Sequence, residues 1–389
     1  MALTTVSSDR LSTNVKNTNF TAAEKQDLTD DILPLAGELG NRNLIINGAM
    51  QVAQRGTSET GVNSSGYKNV CDRWRFNASG SNVGAYTVSQ STTSPDGFGS
   101  SLKIDCTTAR TPASNELYEV EQRFEGQNLQ AFAKGTSAAK KFSVSFYVKT
   151  NVSGNYVVWL YDADNNRNIG AVYTVSDSNW NRYTVSFPAD TTGAFGNDNA
   201  RSLDLRFVLL AGTDFTSGTL PTAAWEGTSN ANSRAGQTAN VASSTSNEWY
   251  LTGVQLEVGS VVTDFEHRSF GKELGLCQRY YYRTTCDATG QRYALGMQMT
   301  GSTASMQINF PTTLRTKPTA LETSGTASDY SVSRTSTHEV CNTVPTFAIA
   351  TPYLAVVNTS QTDASLSTGQ AVQLRANGTG FFLGFSAEL

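Results

Sequence analysis

The feature that most constrains this chain is the alternation of apolar and polar side chains in successive segments between residues 41 and 270. In 141–150, KFSVSFYVKT, the residues Phe142, Val144, Phe146 and Val148 fall on one side and Ser143, Ser145, Tyr147 and Lys149 on the other. In 201–210, RSLDLRFVLL, Leu203, Leu205, Phe207 and Leu209 oppose Asp204 and Arg206; in 181–189, NRYTVSFPA, Tyr183, Val185 and Phe187 oppose Arg182, Thr184 and Ser186. Period two is the repeat of a strand with one face in a core. Turn-forming clusters, SGSN at 79–82 and DADNNRN at 162–168, separate the strands. With no helical periodicity between them, these strands predict an all-β fold, an antiparallel sandwich rather than a βαβ architecture. The stretch 227–248, GTSNANSRAGQTANVASSTSNE, has almost no apolar residues and is expected to be a long exposed loop.

The ends read differently. Thr21-Ala22-Ala23-Glu24 has the form of a capping box, and a helix is expected from about Ala22 to Leu33, stopped by Pro34. Leu28, Ile32, Leu35 and Leu39 follow 4-3-4 spacing and form one apolar seam. A helix that short is marginal alone, so residues 1–40 are read as a docking or oligomerisation segment. After Phe270, GKELGLCQ leads into a second series of strand patterns, from RYALGMQM to GFFLGFSAEL. The expected organisation is therefore a docking segment (1–40), a sandwich (41–270) and a smaller C-terminal β-sandwich (271–389).

Composition excludes several functions. Only 16% of the 389 residues are charged and the net charge is -4; no basic stripe marks a nucleic-acid binder. No apolar run reaches the roughly 18 residues of a membrane span, and the first residues lack the pattern of a secretory signal. Ser, Thr and Asn make up roughly three residues in ten, well above ordinary globular usage. The five cysteines, Cys71, Cys106, Cys277, Cys286 and Cys341, are odd in number and lack CxxC spacing. They read as buried small hydrophobes, with a hairpin pairing of Cys277 and Cys286 left open. Two histidines, His267 and His338, far apart in sequence, would supply a metal site or triad only thinly.

Nor does an enzyme motif stand out. GxGxxG, GxSxG, P-loop and HExxH patterns are absent. Asp162-x-Asp164-x-Asn166 begins like a calcium loop, but Arg167 replaces the glycine and Tyr173 the final acid, so a polar hairpin turn is expected. Glu119, Glu121 and Glu125 alternate with Tyr118, Val120 and Phe124, which reads as a solvated sheet face rather than a glycosidase pair. Asp72 and Arg73 are expected to pair while Trp74 packs. Tyr280-Tyr281-Tyr282 is expected to be a packing or inter-subunit strand.

The stretch 43–57, NLIINGAMQVAQRGT, followed by Cys71-Asp72-Arg73-Trp74, resembles the opening of bacteriophage tail-fibre and receptor-binding proteins. Further matches follow in order: Glu121 to Gly126 (EQRFEG), Trp249 to Gly259 (WYLTGVQLEVG), Thr263-Asp264-Phe265-Glu266, and Cys277-Gln278-Arg279-Tyr280-Tyr281. The resemblance implies a jelly roll like those of carbohydrate-binding modules, carried on a virion, commonly as a homotrimer. It implies that the first strand (LIINGAMQ) and the last (YLTGVQLE) lie side by side. Relatives often hold calcium nearby, but Gln51 and Gln255 stand where acidic ligands would be sought, so no metal or other cofactor is expected.

Sugars stack on aromatic rings while polar groups take their hydroxyls. Tyr147, Trp159, Tyr161, Trp180 and Arg182 are candidates for one such platform if Trp159 and Tyr161 face away from the core; otherwise they are core or subunit-interface residues. The functional expectation is a non-enzymatic virion protein that adheres to a host cell-surface glycan and joins other virion proteins through residues 1–40. The alternatives are a purely structural fibre, collar or capsid decoration and, third, a glycan depolymerase.

Overall fold

The structure, a computed structural model, describes residues 42–68, 70–80, 83–334, 337–361 and 366–389. The helix expected over 22–33, with Leu28, Ile32, Leu35 and Leu39, lies outside the described residues. Within them, the alternating segments form an antiparallel β-sandwich of jelly-roll type.

The first sheet runs in the order β1 (Ser58–Val62), β4 (Ala85–Ser91), β5 (Ser101–Thr108), β13 (Glu248–Val258), β7 (Phe142–Thr150), β10 (Asn181–Phe187). The second runs β12 (Glu226–Gly227), β9 (Arg167–Val175), β8 (Gly154–Asp162), β11 (Arg201–Ala211), β6 (Leu117–Glu125), β3 (Arg75–Ser79), β2 (Gly66–Tyr67). Phe142, Val144, Phe146 and Val148 from the first sheet meet Leu203, Leu205, Phe207 and Leu209 from the second in one core. Its centre is aromatic: Phe146 lies edge-on to Phe207 at 4.9 Å, and Trp74 and Trp249 flank Phe207 at 6.2 and 6.3 Å. The turn DADNNRN joins β8 to β9 as expected, with Asp162 Oδ1 accepting from the backbone N–H groups of Asp164 and Asn165.

The segment LIINGAMQ does lie beside β13, but not as a regular strand. Leu44 N donates to Leu256 O and Val254 N donates to Gly48 O, while Asn47 and Met50 turn left-handed at φ 60 and 57°. A Cβ on Gly48 would sit 2.2 Å from the Val254 carbonyl oxygen, so this closest approach requires glycine. The expected exposed loop is interrupted by a helical turn, α2 (Asn230–Ser233), packed near α1 (Thr213–Thr216). GKELGLCQ, assigned no element from sequence, forms α3 (Phe270–Gln278), capped by Ser269. Its two glycines, Gly271 and Gly275, weaken the helical signal.

A second core follows. A three-stranded sheet, β14 (Tyr281–Thr285), β23 (Phe382–Ser386), β17 (Ala320–Thr323), packs near a seven-stranded one. That sheet runs β19 (Thr337–Val340), β18 (Tyr330–Arg334), β22 (Ala371–Ala376), β15 (Arg292–Gln298), β16 (Thr303–Asn309), β21 (Leu354–Ser360), β20 (Thr346–Ala350). Met306, Tyr330, Val357, Leu374, Leu383 and Phe385 lie at its centre.

The joint between the two cores is built from arginines on tyrosines. The Arg73 guanidinium lies 3.5 Å over the Tyr280 ring and pairs with Glu388; Arg55 lies 3.5 Å over Tyr281 and reaches Glu322 and Glu388. Tyr280 Oη donates to Glu125 at 2.5 Å, and Arg279 pairs with the same carboxylate. Tyr282 instead stacks on Phe385 in the second core. The tyrosine run is thus a packing strand within one chain. Arg73 does not pair with Asp72, whose carboxylate accepts from Gln54 N and Nε2 and is raised by burial to about 6. Trp74 packs as expected and donates to Asn47 O.

Arg73→Ala should cost about 3–5 kcal/mol, because a fully buried guanidinium is lost from between Glu388 and the Tyr280 ring and the more distant Arg55, at 3.3 Å, is left to face that carboxylate. Denaturant unfolding checks this, and a cycle with Glu388→Gln should give less than the sum of the single effects.

Candidate functional site

Two outward faces of the first sandwich carry the sequence-predicted residues, and the structure divides them. On the second sheet, strand pairing sets Trp159, Arg206, Glu121 and Arg75 in one row, with Tyr161, Asp204 and Arg123 in the next and Val208, Glu119 and Asn77 on the other side. Arg206 pairs with Glu119 at 3.0 Å, Glu121 at 2.8 Å and Asp204 at 2.6 Å, and Arg234 reaches Glu119 at 2.6 Å. This corrects the solvated reading of the glutamates: Glu119, Glu121 and Glu125 are fully buried. Burial would raise the Glu119 carboxyl, but Arg234 and Arg206 outweigh it and hold it below its ordinary value. Burial is likewise outweighed at Asp204 by Arg206 and Arg201, and at Glu125 by hydrogen bonds from Arg279 and Tyr280.

What covers these charges is the stretch expected to be exposed. Ala235 and Leu220 pack on Val157, Trp159 and Val208. Val157 N donates to Gln237 Oε1, and Thr238 N and Ala239 N donate to Asn155 O. Trp159 consequently is only 3% exposed. Its Nε1 donates to Asn168 Oδ1, Arg234 lies 3.7 Å over its ring, and Tyr161 stacks beside it. Trp159 faces away from the core, as the platform required, but offers no ring face to a ligand.

Tyr147, Trp180 and Arg182 sit on the opposite outer face, that of the first sheet. Tyr147 and Arg182 are direct cross-strand partners, and Arg182 donates to Thr263 O. Trp180, half-buried, meets Tyr250 edge-on at 6.0 Å. Tyr250 lies between Lys103 and Lys149 across three strands, their ammonium groups 5.6 and 5.7 Å from its ring, and donates to Glu248. Beside Tyr147, Phe98 packs at 5.3 Å and contacts Phe265 and His267 at 5.0 and 5.2 Å. Gly253, at φ 61°, makes this possible: a Cβ there would fall 2.7 Å from the Phe98 ring and 2.8 Å from that of Tyr147. The half-buried rings of Tyr147, Trp180, Phe98 and Phe265, set around the buried Tyr250 and flanked by Arg182, Lys103 and Lys149, form the arrangement that can stack a sugar and hold its hydroxyls. Tyr250, Phe98, Phe265 and His267 were missed from sequence. Tyr250 was readable, since it alternates with the buried Trp249 and Leu251; Phe98 was not, standing in a turn-rich stretch.

Near the domain-closing strands, Gln255 is fully engaged by protein. Its Nε2 donates to Thr263 Oγ1 and Asp264 O, and its Oε1 accepts from Glu266 N. Among the described residues no group of three or more His, Cys, Asp or Glu is placed to hold a metal ion. All five cysteines are free thiols, so Cys277 and Cys286 are not bridged. No helix among the described residues is long and apolar enough to cross a membrane.

No family model and no curated protein matches the sequence. Similarities to solved structures are confined to fold. The enzymatically active domain of tailspike protein 4 of bacteriophage CBA120 aligns with 12% identity and TM-score 0.31 over 56% of this chain and 21% of its own, so the chain spans about a fifth of that tailspike domain. A family 11 carbohydrate-binding module of Clostridium thermocellum aligns over 55% of this chain and 99% of its own, at 10% identity and TM-score 0.25. A xylan-binding domain of CBM 22 aligns over 54% and 98%, at 11% identity and TM-score 0.27. Scores this low transfer no residue role.

Trp159→Ala should destabilise the chain by about 3–5 kcal/mol, the range for losing a buried tryptophan, read by denaturant unfolding. Glu119→Gln should cost a similar amount at neutral pH, since Arg206 and Arg234 lose a buried counter-charge. Glu119, Glu125 and Asp204 have folded values below their unfolded ones. Their contribution is therefore complete above the ordinary carboxylate range of about 4 and lost as pH falls through the lowered values. The melting temperature should drop steeply below pH 4 in the parent and less steeply in Glu119→Gln.

Proposed function

We infer that the chain is a receptor-binding component of a bacteriophage virion that adheres to a bacterial surface glycan. The observation that carries the reading is the aromatic band on the first sheet, with the half-buried Trp180 edge-on to Tyr250, Tyr250 between two lysines, and Tyr147 beside Arg182. The ordered sequence resemblance at 43–57, 71–74, 121–126 and 249–281 supports the virion setting. Weak contacts of this kind become firm attachment when copies act together. The proposed organisation is a homotrimer joined to other virion proteins through residues 1–40, with 41–270 and 271–389 as separate domains. The reading is non-catalytic: the clustered carboxylates that a depolymerase would need are buried under the 212–240 segment and paired with arginines.

A structural role without glycan binding is the second reading. It is favoured by apolar side chains on the outer face of the C-terminal sheet, where Leu295 and Ile349 are 67% and 60% exposed.

Glycan arrays and host-cell binding with purified protein test the first reading. Trp180→Ala should weaken binding about tenfold, the scale of one aromatic stacking contact, while moving stability by less than about 1 kcal/mol. Parent protein that binds no host cell or polysaccharide would leave the structural role. Deleting residues 1–40 should leave a folded body that no longer joins the particle.

A further inference from the structure

A second polar recess lies far along the chain from the aromatic band, on the C-terminal seven-stranded sheet. It is a cavity of about 150 Å³ lined by Arg292, Ser333, Arg334, Thr337, His338, Gln373 and Arg375. Strand pairing explains the assembly. Ser333 is the direct partner of both His338 and Gln373, and Arg292 is the direct partner of Arg375 in the neighbouring row.

Two arginines directly opposite one another on adjacent strands repel. Elsewhere in this protein such guanidiniums are neutralised: Arg206, Arg234, Arg73 and Arg279 each sit on a carboxylate. Among the described residues none of Arg292, Arg334 and Arg375 has a carboxylate within ion-pairing distance. Arg292 is held in place by Gln373, to whose Oε1 its Nε donates. Arg375 lies against Gly290, whose φ of 85° and lack of a side chain leave room for the guanidinium, and its buried Nε has no hydrogen-bond partner. Oriented donors, like charge and open space converge on one point.

We propose that this recess binds an oxyanion, the phosphate or carboxylate group of an acidic glycan. Arginines grip such groups through paired N–H donors, and the Ser333 and Thr337 hydroxyls supply further donors. The anion site stands on its own geometry; only its assignment to a glycan rests on the adhesion reading. The C-terminal unit would then select acidic polymers, while the aromatic band grips sugar rings regardless of charge.

The test is titration of the full chain by calorimetry with inorganic phosphate and, separately, with glucuronate, at low chloride. Saturable binding of one equivalent is expected, weakening as salt rises. Stronger phosphate binding identifies a phosphate-bearing polymer as the ligand, and stronger glucuronate binding a sugar acid. The variant Arg334→Gln/Arg375→Gln should bind at least about tenfold more weakly, the loss of one to two charge-assisted hydrogen bonds. The exposed Arg292→Gln provides the same readout should the double variant not fold. Absence of binding of both anions by the parent, or equal affinity in a folded variant, would overturn the site. Trp180 stands on a different sheet from this recess, so Trp180→Ala should leave the titration unchanged; parent protein that binds the anion yet adheres to no host cell would count against the adhesion reading alone.

Discussion

The structure turns on a sheet buried on both faces. The inner face of β6, β8 and β11 is apolar and meets the first sheet; the outer face carries Glu119, Glu121, Asp204 and Arg206, none of which can be left dry without partners. Arg206 from the neighbouring strand and Arg234 from a distant loop satisfy the glutamates, and Arg206 and Arg201 hold Asp204 on their own strand. The 212–240 segment closes over the network, and residues at the chain's far end, Glu388 and Leu389, cap its edge through Arg73 and Arg123. Such a network contributes less to net stability than its number of contacts suggests, because desolvation offsets much of the attraction. Its effect is to admit one arrangement of covering segments.

That constraint gives the recognisable sequence stretches a physical meaning. Asn43 and Asn47, Asp72 to Trp74, Gln122 and Glu125, Gln255 and Arg279 to Tyr281 are far apart in sequence. They meet around one end of the sandwich, exchanging side-chain to backbone hydrogen bonds and stacking arginine on tyrosine. Tyr250, Gly253 and Phe265, from the same stretches, belong instead to the aromatic band. The stretches that carry the resemblance therefore build both the joint between the two cores and part of the aromatic face of the first sheet.

The strands were legible because alternation is a local property: Phe142 to Val148 and Leu203 to Leu209 each announce a face without reference to the rest of the chain. What those faces touch is not local. Glu119 and Glu121 alternate as solvated carboxylates would, and only the arrival of Arg206 and Arg234 from β11 and a distant loop distinguishes burial from hydration. The 227–248 stretch is poor in apolar residues, yet Ser233, Ala235 and Val241 are buried because small side chains lie flat on a sheet. Trp159 and Trp180 are both outward-facing by periodicity. Their fates diverge because one sheet acquires a lid among the described residues and the other leaves Trp180 half-open.

The thiols give this architecture a built-in clock. Every one of the five is buried and unpaired, and burial raises the Cys71, Cys277 and Cys341 groups, the last to about 11, so each is slow to react until its surroundings open. Cys71 and Cys106 belong to the first core, Cys277 to the linking helix, and Cys341 to the second core. The order in which a small alkylating reagent modifies them therefore reads out which part of the molecule breathes first.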